Sequence, residues 1–362
     1  MKIKFYLFFL IFFFLILYNS LVFFSINDKK KYSKFLIKKK EHVYFYEKFS
    51  QKNHHLRDPP KGDLFDEKES HRFYFTEINK FEDKKINILL QGDSWIDSID
   101  NIPESSEKVK SFAKRNNIGL INAGVSSYSP SAFNAQFEIL EKEFNIKPDI
   151  VLVYIDQTDI GDENCRYKDR KIENSYFLKA EFHSNRVYDF TKLLAYSRIN
   201  AETENTLLNV LKTNNFYIKS LFYSFFLKEK ESCTYNSILS YLREPNEKDI
   251  KYFKEVTKKY IEYLIEKKYI KKIIVVTHPH YENLTNEYKF NMGNFINNLE
   301  FKNNKVVHLN FENLILRSVE KNKFRNIYKK DDTTHLNNQA HSISFIPIML
   351  EFLNFEKNKI KK

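Results

Sequence analysis

A mainly parallel α/β sheet with helices on both faces is the fold class this sequence predicts, and three observations predict it. Short apolar runs rich in β-branched residues and leucine recur at residues 86–90, 149–155 and 272–277, each the length of a strand buried on both faces. The first two end in turn residues, Gly92-Asp93-Ser94 and Asp156-Gln157-Thr158-Asp159-Ile160-Gly161, and the third runs into His278-Pro279-His280. Helix-length segments separate the runs, which implies right-handed crossovers and a three-layer sandwich.

Composition sets the outer bounds. A chain of 362 residues that is 42% hydrophobic and 16% aromatic can bury a large core, which excludes a disordered chain. The net charge of +12 comes mostly from lysine spread along the sequence, without an arginine cluster or nucleic-acid motif, so no nucleic-acid partner is expected. Cys165 and Cys233 are the only cysteines. They exclude a disulfide scaffold and offer no CxxC metal pair, and they can form one bridge if the domain is exported.

Residues 5–24 form an apolar run broken only by Asn19 and Ser20, long enough for a helix to cross a bilayer, and Lys2 and Lys4 precede it. The run ends without a small-residue cleavage pattern, so residues 1–26 read as an uncleaved single-pass signal-anchor. Lys29, Lys30, Lys31 and Lys34 favour a cytoplasmic C-terminal side by the positive-inside rule, a rule discounted in so lysine-rich a chain. The expected arrangement is a membrane protein with its folded domain outside the cytoplasm. Residues 27–85, charged and aromatic with weak periodicity, read as a stalk and lead-in.

The folded domain is expected over residues 86–357. Its first strand starts at Ile86, where four of five residues are β-branched or leucine, and Gly92 then permits a sharp turn that sets Ser94 at the strand's carboxyl end. Open α/β sheets bind their ligands at that end. A second strand at 119–123 leads into the turn-rich loop 124–130, and a helix from about Ser131 carries Phe133, Phe137, Leu140 and Phe144 on one stripe before Pro148. From 165 to 245 aromatics and charges interleave, which suggests a helical insertion of unreadable role. Residues 247–268 are helical, with Ile250, Phe253, Val256, Tyr260 and Leu264 recurring at three or four. A last strand covers 305–309, and a final helix runs to about Phe355.

Between them lies Asp331-Asp332-Thr333-Thr334-His335, a loop by its residues. A serine hydroxyl needs an imidazole to take its proton, and the imidazole needs a carboxylate to fix its tautomer. Asp332 and His335 supply both from one segment, and three-residue spacing favours Asp332 over Asp331. Other residues carry weaker readings. His278 and His280 point the same way from an extended segment, but no nearby carboxylate or cysteine completes a ligand set, so substrate-facing or structural roles are expected and no metal. Trp95 either walls an acyl pocket or packs beneath the serine turn. Asp159 anchors its block or touches substrate.

These blocks together resemble the SGNH, or GDSL-type, hydrolase family over roughly residues 86–355. Gly92-Asp93-Ser94 resembles its first block, Asn122-Ala123-Gly124 its glycine block and Asp332-Thr333-Thr334-His335 its terminal DxxH. The resemblance implies a flavodoxin-like sheet, Ser94 as nucleophile, His335 as base, Asp332 as third member, and no cofactor. It also implies an oxyanion hole from the backbone N–H groups of Ser94 and Gly124 plus an asparagine side chain. Here the pattern departs, because Thr158 stands at the asparagine position, and Gln157 or Thr158 is the expected replacement. The implied activity is a membrane-anchored serine esterase or deacylase acting on an acyl ester, with a cell-surface glycan as one candidate substrate. The alternatives are a polysaccharide O-acetyltransferase of the same fold and a non-catalytic carbohydrate-binding or scaffold module.

Overall fold

Six strands build the sheet in the computed structural model, which describes residues 74–82, 85–168, 235–301 and 303–360 and, before them, Tyr6, Phe13, Phe14 and Leu17 alone. The strands are β1 (Thr76–Asn79), β2 (Ile86–Gln91), β3 (Ile118–Asn122), β4 (Ile150–Tyr154), β5 (Lys272–Thr277) and β6 (Val306–Asn310), in the spatial order β1-β3-β2-β4-β5-β6. All neighbours are parallel except β1 against β3. Counted in chain order, the five parallel strands lie 2-1-3-4-5, the flavodoxin-like arrangement. The order in which the chain adds strands reverses between the parallel strands β2 and β4, so the carboxyl ends of those two strands flank the crevice where such sheets bind ligands.

The helices divide between the two faces. After β2 come α1 (Ser94–Asn101) and α2 (Pro103–Arg115), and after β3 comes α3 (Pro130–Phe144). A short α4 (Asp159–Asp162) follows β4, and α5 (Tyr235–Arg243) and α6 (Glu247–Glu266) precede β5. Beyond β5 lie α7 (Tyr281–Leu284) and α8 (Met292–Asn297), then α9 (Phe311–Ser318) after β6. The chain closes with α10 (Asn338–Ala340) and α11 (Ile346–Ile360). Ile88, Leu90, Leu152, Ile274 and Val276 face one way and pack with Ile96, Ile99, Val109, Phe112, Phe311, Ile315 and Met349 of α1, α2, α9 and α11. The opposite face meets α3 and α6: Gln91 of β2 donates to Phe133 O at 2.8 Å and to Gln136 Oε1 at 2.7 Å, and Tyr260 donates to Gln91 Oε1. A glutamine in a doubly buried strand is tolerable only because each of its polar atoms is bonded in this way.

Two expectations change. The sheet begins before the expected boundary at 86, because Thr76–Asn79, inside the assumed stalk, pairs antiparallel with β3, and Asn79 Nδ2 donates to Ile118 O at 2.5 Å. Four residues of edge strand carry too little alternation to show in a sequence. The acid–base segment is a hairpin rather than a loop, β7 (Tyr328–Lys329) against β8 (Asp332–Leu336). Two consecutive threonines suit a strand, and a register irregularity at Tyr328 and Lys329 bends it. Finally, most of the expected insertion and of the anchor lies outside the described residues. Among the described residues no helix is long and apolar enough to cross a membrane, and within 5–24 only Tyr6, Phe13, Phe14 and Leu17 are described, each helical and exposed.

The chain divides into two compact units, and apart from those four residues the described part falls in one of them, comprising residues 50–59, 71–181 and 232–362. Cys165 is disulfide-bonded, and the only other cysteine of the sequence, Cys233, lies outside the described residues.

Candidate active site

The serine turn is built by close approach. Gly92 has no positive φ, contrary to a role in sharp turning, but a Cβ there would come within 2.7 Å of Ile96 Cγ1 and 2.8 Å of Tyr154 Cβ. Gly124 is equally confined, since its Cβ would lie 2.3 Å from Asp97 N. Their absent side chains let α1 start directly off β2 with the β3 loop pressed on it. Asp93 caps that helix by accepting the Trp95 N–H at 3.0 Å, leaving Ser94 as its first residue, half-buried at the rim.

Ser94, His335 and Asp332 form one hydrogen-bonded chain. Ser94 Oγ is 2.7 Å from His335 Nε2, and His335 Nδ1 is 2.6 Å from Asp332 Oδ2, although 241 residues separate the serine from the histidine. Asp332 Oδ1 also accepts the N–H groups of Thr334 at 2.9 Å and His335 at 3.2 Å, an Asx-type turn that brings residues three apart on a strand together. Burial pushes the Asp332 carboxyl up, but the His335 ring and these two N–H groups outweigh it and hold it well below the usual carboxylate range. A carboxylate facing Nδ1 requires the proton on Nδ1, which leaves Nε2 as the lone-pair nitrogen toward the serine. Asp331 is exposed, with Asp332 the residue that pairs.

Trp95 is a core residue beneath the serine turn. It is 1% exposed, and its ring lies 5.3 Å from Tyr154, 4.5 Å from His278 and 6.0 Å from His335, so it forms the floor under the imidazole. His278 and His280 are structural: His278 Nδ1 bonds Pro279 O at 2.7 Å, and His280 Nε2 lies 3.0 Å from Asp156 Oδ1. Burial lowers the His278 pKa to about 3. Asp159 is an anchor, accepting the Asp156 N–H at 3.2 Å from a fully buried position. No group of three or more ligating side chains suited to a metal occurs among the described residues.

Three of the expected oxyanion donors, the Gly124 N–H and the side chains of Gln157 and Thr158, are engaged elsewhere, because each already satisfies another partner. The Gln157 carboxamide is 1% exposed and bridges two loops, donating to His278 O at 3.1 Å and accepting the Met292 N–H at 3.0 Å. The Thr158 hydroxyl donates to Asp156 Oδ2 at 2.6 Å, and its N–H reaches the same oxygen at 3.1 Å. The Gly124 N–H donates to Asn122 Oδ1 at 2.9 Å, while Asn122 Nδ2 holds Ile96 O of α1 at 3.0 Å. In the same loop, Val125 N–H bonds Gly92 O at 2.9 Å and Tyr128 N–H bonds Val125 O at 3.1 Å. Between them Ser127 adopts φ 62°, a left-handed conformation rare for a residue with a side chain, and its carbonyl is held by the Tyr167 hydroxyl at 2.7 Å.

Sequence reasoning missed two further carboxylates. Glu163 is fully buried and ties the β3 loop to the start of α3, accepting the Ser129 hydroxyl at 2.6 Å and the Ser131 N–H at 3.0 Å. Asp93 lies buried with Asp156 and Asp162 near it, and burial followed by the Asp156 charge drives its carboxyl well above the usual range. A run of turn residues gave no signal for either role.

No family model and no curated protein matches this chain. Among solved structures it is similar to a two-domain esterase, CEX, active on acetylated mannans, at 11% identity and a TM-score of 0.37 over 76% of this chain and 50% of that one. It is also similar to a catalytic mutant of Axe2, an acetylxylan esterase from Geobacillus stearothermophilus, at 12% identity and a TM-score of 0.36 over 76% of this chain and 95% of that one. The chain thus spans half the length of the first. At these scores neither likeness bears on the chemistry of this chain, which is read from its own side chains.

Proposed function

We propose that this chain is a serine ester hydrolase or acyl transferase in which Ser94 is the nucleophile, His335 the general base and Asp332 the orienting carboxylate. The observation that supports the reading is the continuous chain from Ser94 Oγ through both nitrogens of His335 to Asp332, at 2.7 and 2.6 Å, open to solvent at the serine end. As Ser94 Oγ bonds the ester carbonyl carbon, His335 Nε2 takes its proton, and the imidazolium then passes that proton to the departing alcohol oxygen. Water, or the hydroxyl of an acceptor, repeats the sequence on the acyl-serine. The carbonyl oxygen turns to the Ser94 N–H, which as the first amide of α1 has no intrahelical partner.

We further propose an acylated cell-surface glycan as substrate and a location outside the cytoplasm, behind an anchor at residues 5–24. The uncut apolar run and the disulfide-bonded Cys165 support this location, since disulfides persist in oxidising compartments.

Treating the full chain with a fluorophosphonate tests the mechanism. An adduct on Ser94 that is lost in His335→Ala is the expected result, and a folded protein that takes no label overturns the proposal. Release of free acetate from an acetyl ester with and without a glycan acceptor then separates hydrolysis from transfer.

A further inference from the structure

Beside the Asp332–His335 pair stands an aromatic ring that is tethered at its hydroxyl yet open to water. Tyr235 is the first residue of α5, a helix seated by buried Ile238, Leu239 and Leu242 and packed against α4. The far end of that helix is fixed as well, because Leu242 O accepts the N–H groups of Lys289 and Phe290 at 3.0 Å each. The Tyr235 hydroxyl lies 2.5 Å from Thr334 Oγ1. Thr334 immediately precedes His335 in β8, and its N–H donates to the Asp332 carboxylate. Tyr235 nonetheless remains 55% exposed.

We infer that the ring of Tyr235 walls the subsite for the alcohol part of the ester and stacks on a saturated sugar ring, an inference that rests on the proposed serine mechanism. The chemistry assigns the side. His335 delivers its proton to the departing alkoxide and takes one from an incoming acceptor, so both alcohols must approach along the imidazole, next to the strand that Tyr235 touches. The geometry assigns the shape. A flat apolar ring whose hydroxyl is already bonded loses little freedom on binding, and its face matches the C–H surface of a pyranose better than a linear alkyl chain. The Thr334 bond keeps the phenol in place while more than half of the residue stays exposed.

The test compares two acetyl esters that differ in their alcohol, glucose pentaacetate and butyl acetate, in the full chain and in its Tyr235→Ala and Tyr235→Phe variants. For Tyr235→Ala the ratio of kcat/KM on the sugar ester to that on butyl acetate should fall about tenfold, the size of one aromatic stacking contact, with the change in KM. Tyr235→Phe keeps the face and should preserve the ratio, even if both rates drop through the lost Thr334 bond. A ratio unchanged by Tyr235→Ala overturns the inference, whether both rates fall together or neither moves. If the wild type turns over neither ester and Ser94 takes no fluorophosphonate, the serine reading fails on its own. Titrating glucose pentaacetate into folded wild type and Tyr235→Ala then decides the subsite, and equal affinities overturn it.

Discussion

Among the described residues, two carboxylate–imidazole pairs lie in this domain. Asp332 and His335 are 2.6 Å apart with side chains 33% and 28% exposed, and the second nitrogen of the ring meets Ser94 Oγ. Asp156 and His280 are 3.0 Å apart with side chains 1% and 0% exposed, and they join the ends of β4 and β5. There the second nitrogen, His280 Nδ1, is buried without a hydrogen-bond partner, while the carboxylate is also bonded by Thr158. Burial pushes Asp156 up, but the ring of His280 and the Thr158 bonds more than reverse it, so its pKa ends below the ordinary value. The contrast teaches that pairing with a carboxylate does not make a histidine a base. The far nitrogen must face a hydroxyl on the open side of the protein.

Substitutions break the two pairs in opposite ways. Ser94→Ala and His335→Ala should each lower turnover by about 10⁴-fold or more while leaving the melting temperature nearly unchanged, and Asp332→Asn should lose somewhat less because the carboxylate makes no bond to substrate. Asp156→Asn should instead destabilise the fold by about 3 kcal/mol, the cost of breaking a fully buried pair from one side. Denaturant unfolding read beside steady-state rates checks both halves. If Asp156→Asn unfolds no more easily than wild type but loses turnover like Ser94→Ala, the roles assigned to the two pairs are wrong.

The same comparison covers the strand-end residues. Gln157→Ala and Thr158→Ala remove buried bonds rather than oxyanion donors, so each should cost about 1–3 kcal/mol of stability. Turnover at fixed substrate should change by less than about tenfold, against the hundredfold or more that a lost oxyanion donor costs. A hundredfold fall in kcat with an unchanged melting point would return the donor role to that side chain.

The smallest effect is on pH. Burial lowers the pKa of His278 to about 3 and those of His308 and His341 to about 4, below the unfolded value of about 6.5. Between about pH 6.5 and 4 the unfolded chain therefore binds protons that the folded chain refuses, and these three groups withdraw stability as pH falls through that window. Asp93 and Asp159, both raised primarily by burial, act in the opposite sense above their unfolded value, so the net slope is shallower. Asp332, held low, adds to the loss only below its unfolded value near 3.8. His341 bonds Ser105 Oγ at 2.8 Å and Ser98 Oγ at 3.1 Å, both of which a glutamine amide can satisfy. His341→Gln should accordingly flatten the decline in melting temperature between pH 6.5 and 4, and an unchanged slope would remove His341 from this account.

Much of this was legible from residues alone. The apolar runs at 86–90, 149–155 and 272–277 are strands β2, β4 and β5 within a residue or two, because a strand buried on both faces has no choice but continuous apolar side chains. Gly92-Asp93-Ser94 and the DxxH segment also stood out, since turn chemistry and a three-residue acid–base spacing are local properties. What the sequence withheld was the fate of each polar group. Gln157 reaches His278 across 121 residues and Asp156 reaches His280 across 124, and no spacing announces such partners. The Gly124 N–H looked free until Asn122, two residues away, proved to fold back on it. Sequence by itself determined where the buried central strands and the amphipathic helices against them run, and which residue types stand at the strand ends, because periodicity and turn preference act over a few residues, while the edge strand β1 and the β7–β8 hairpin escaped it. Only the tertiary structure decided which of those residues face the crevice and which are consumed beneath it, because every buried donor and acceptor must find a partner and that partner is set by packing.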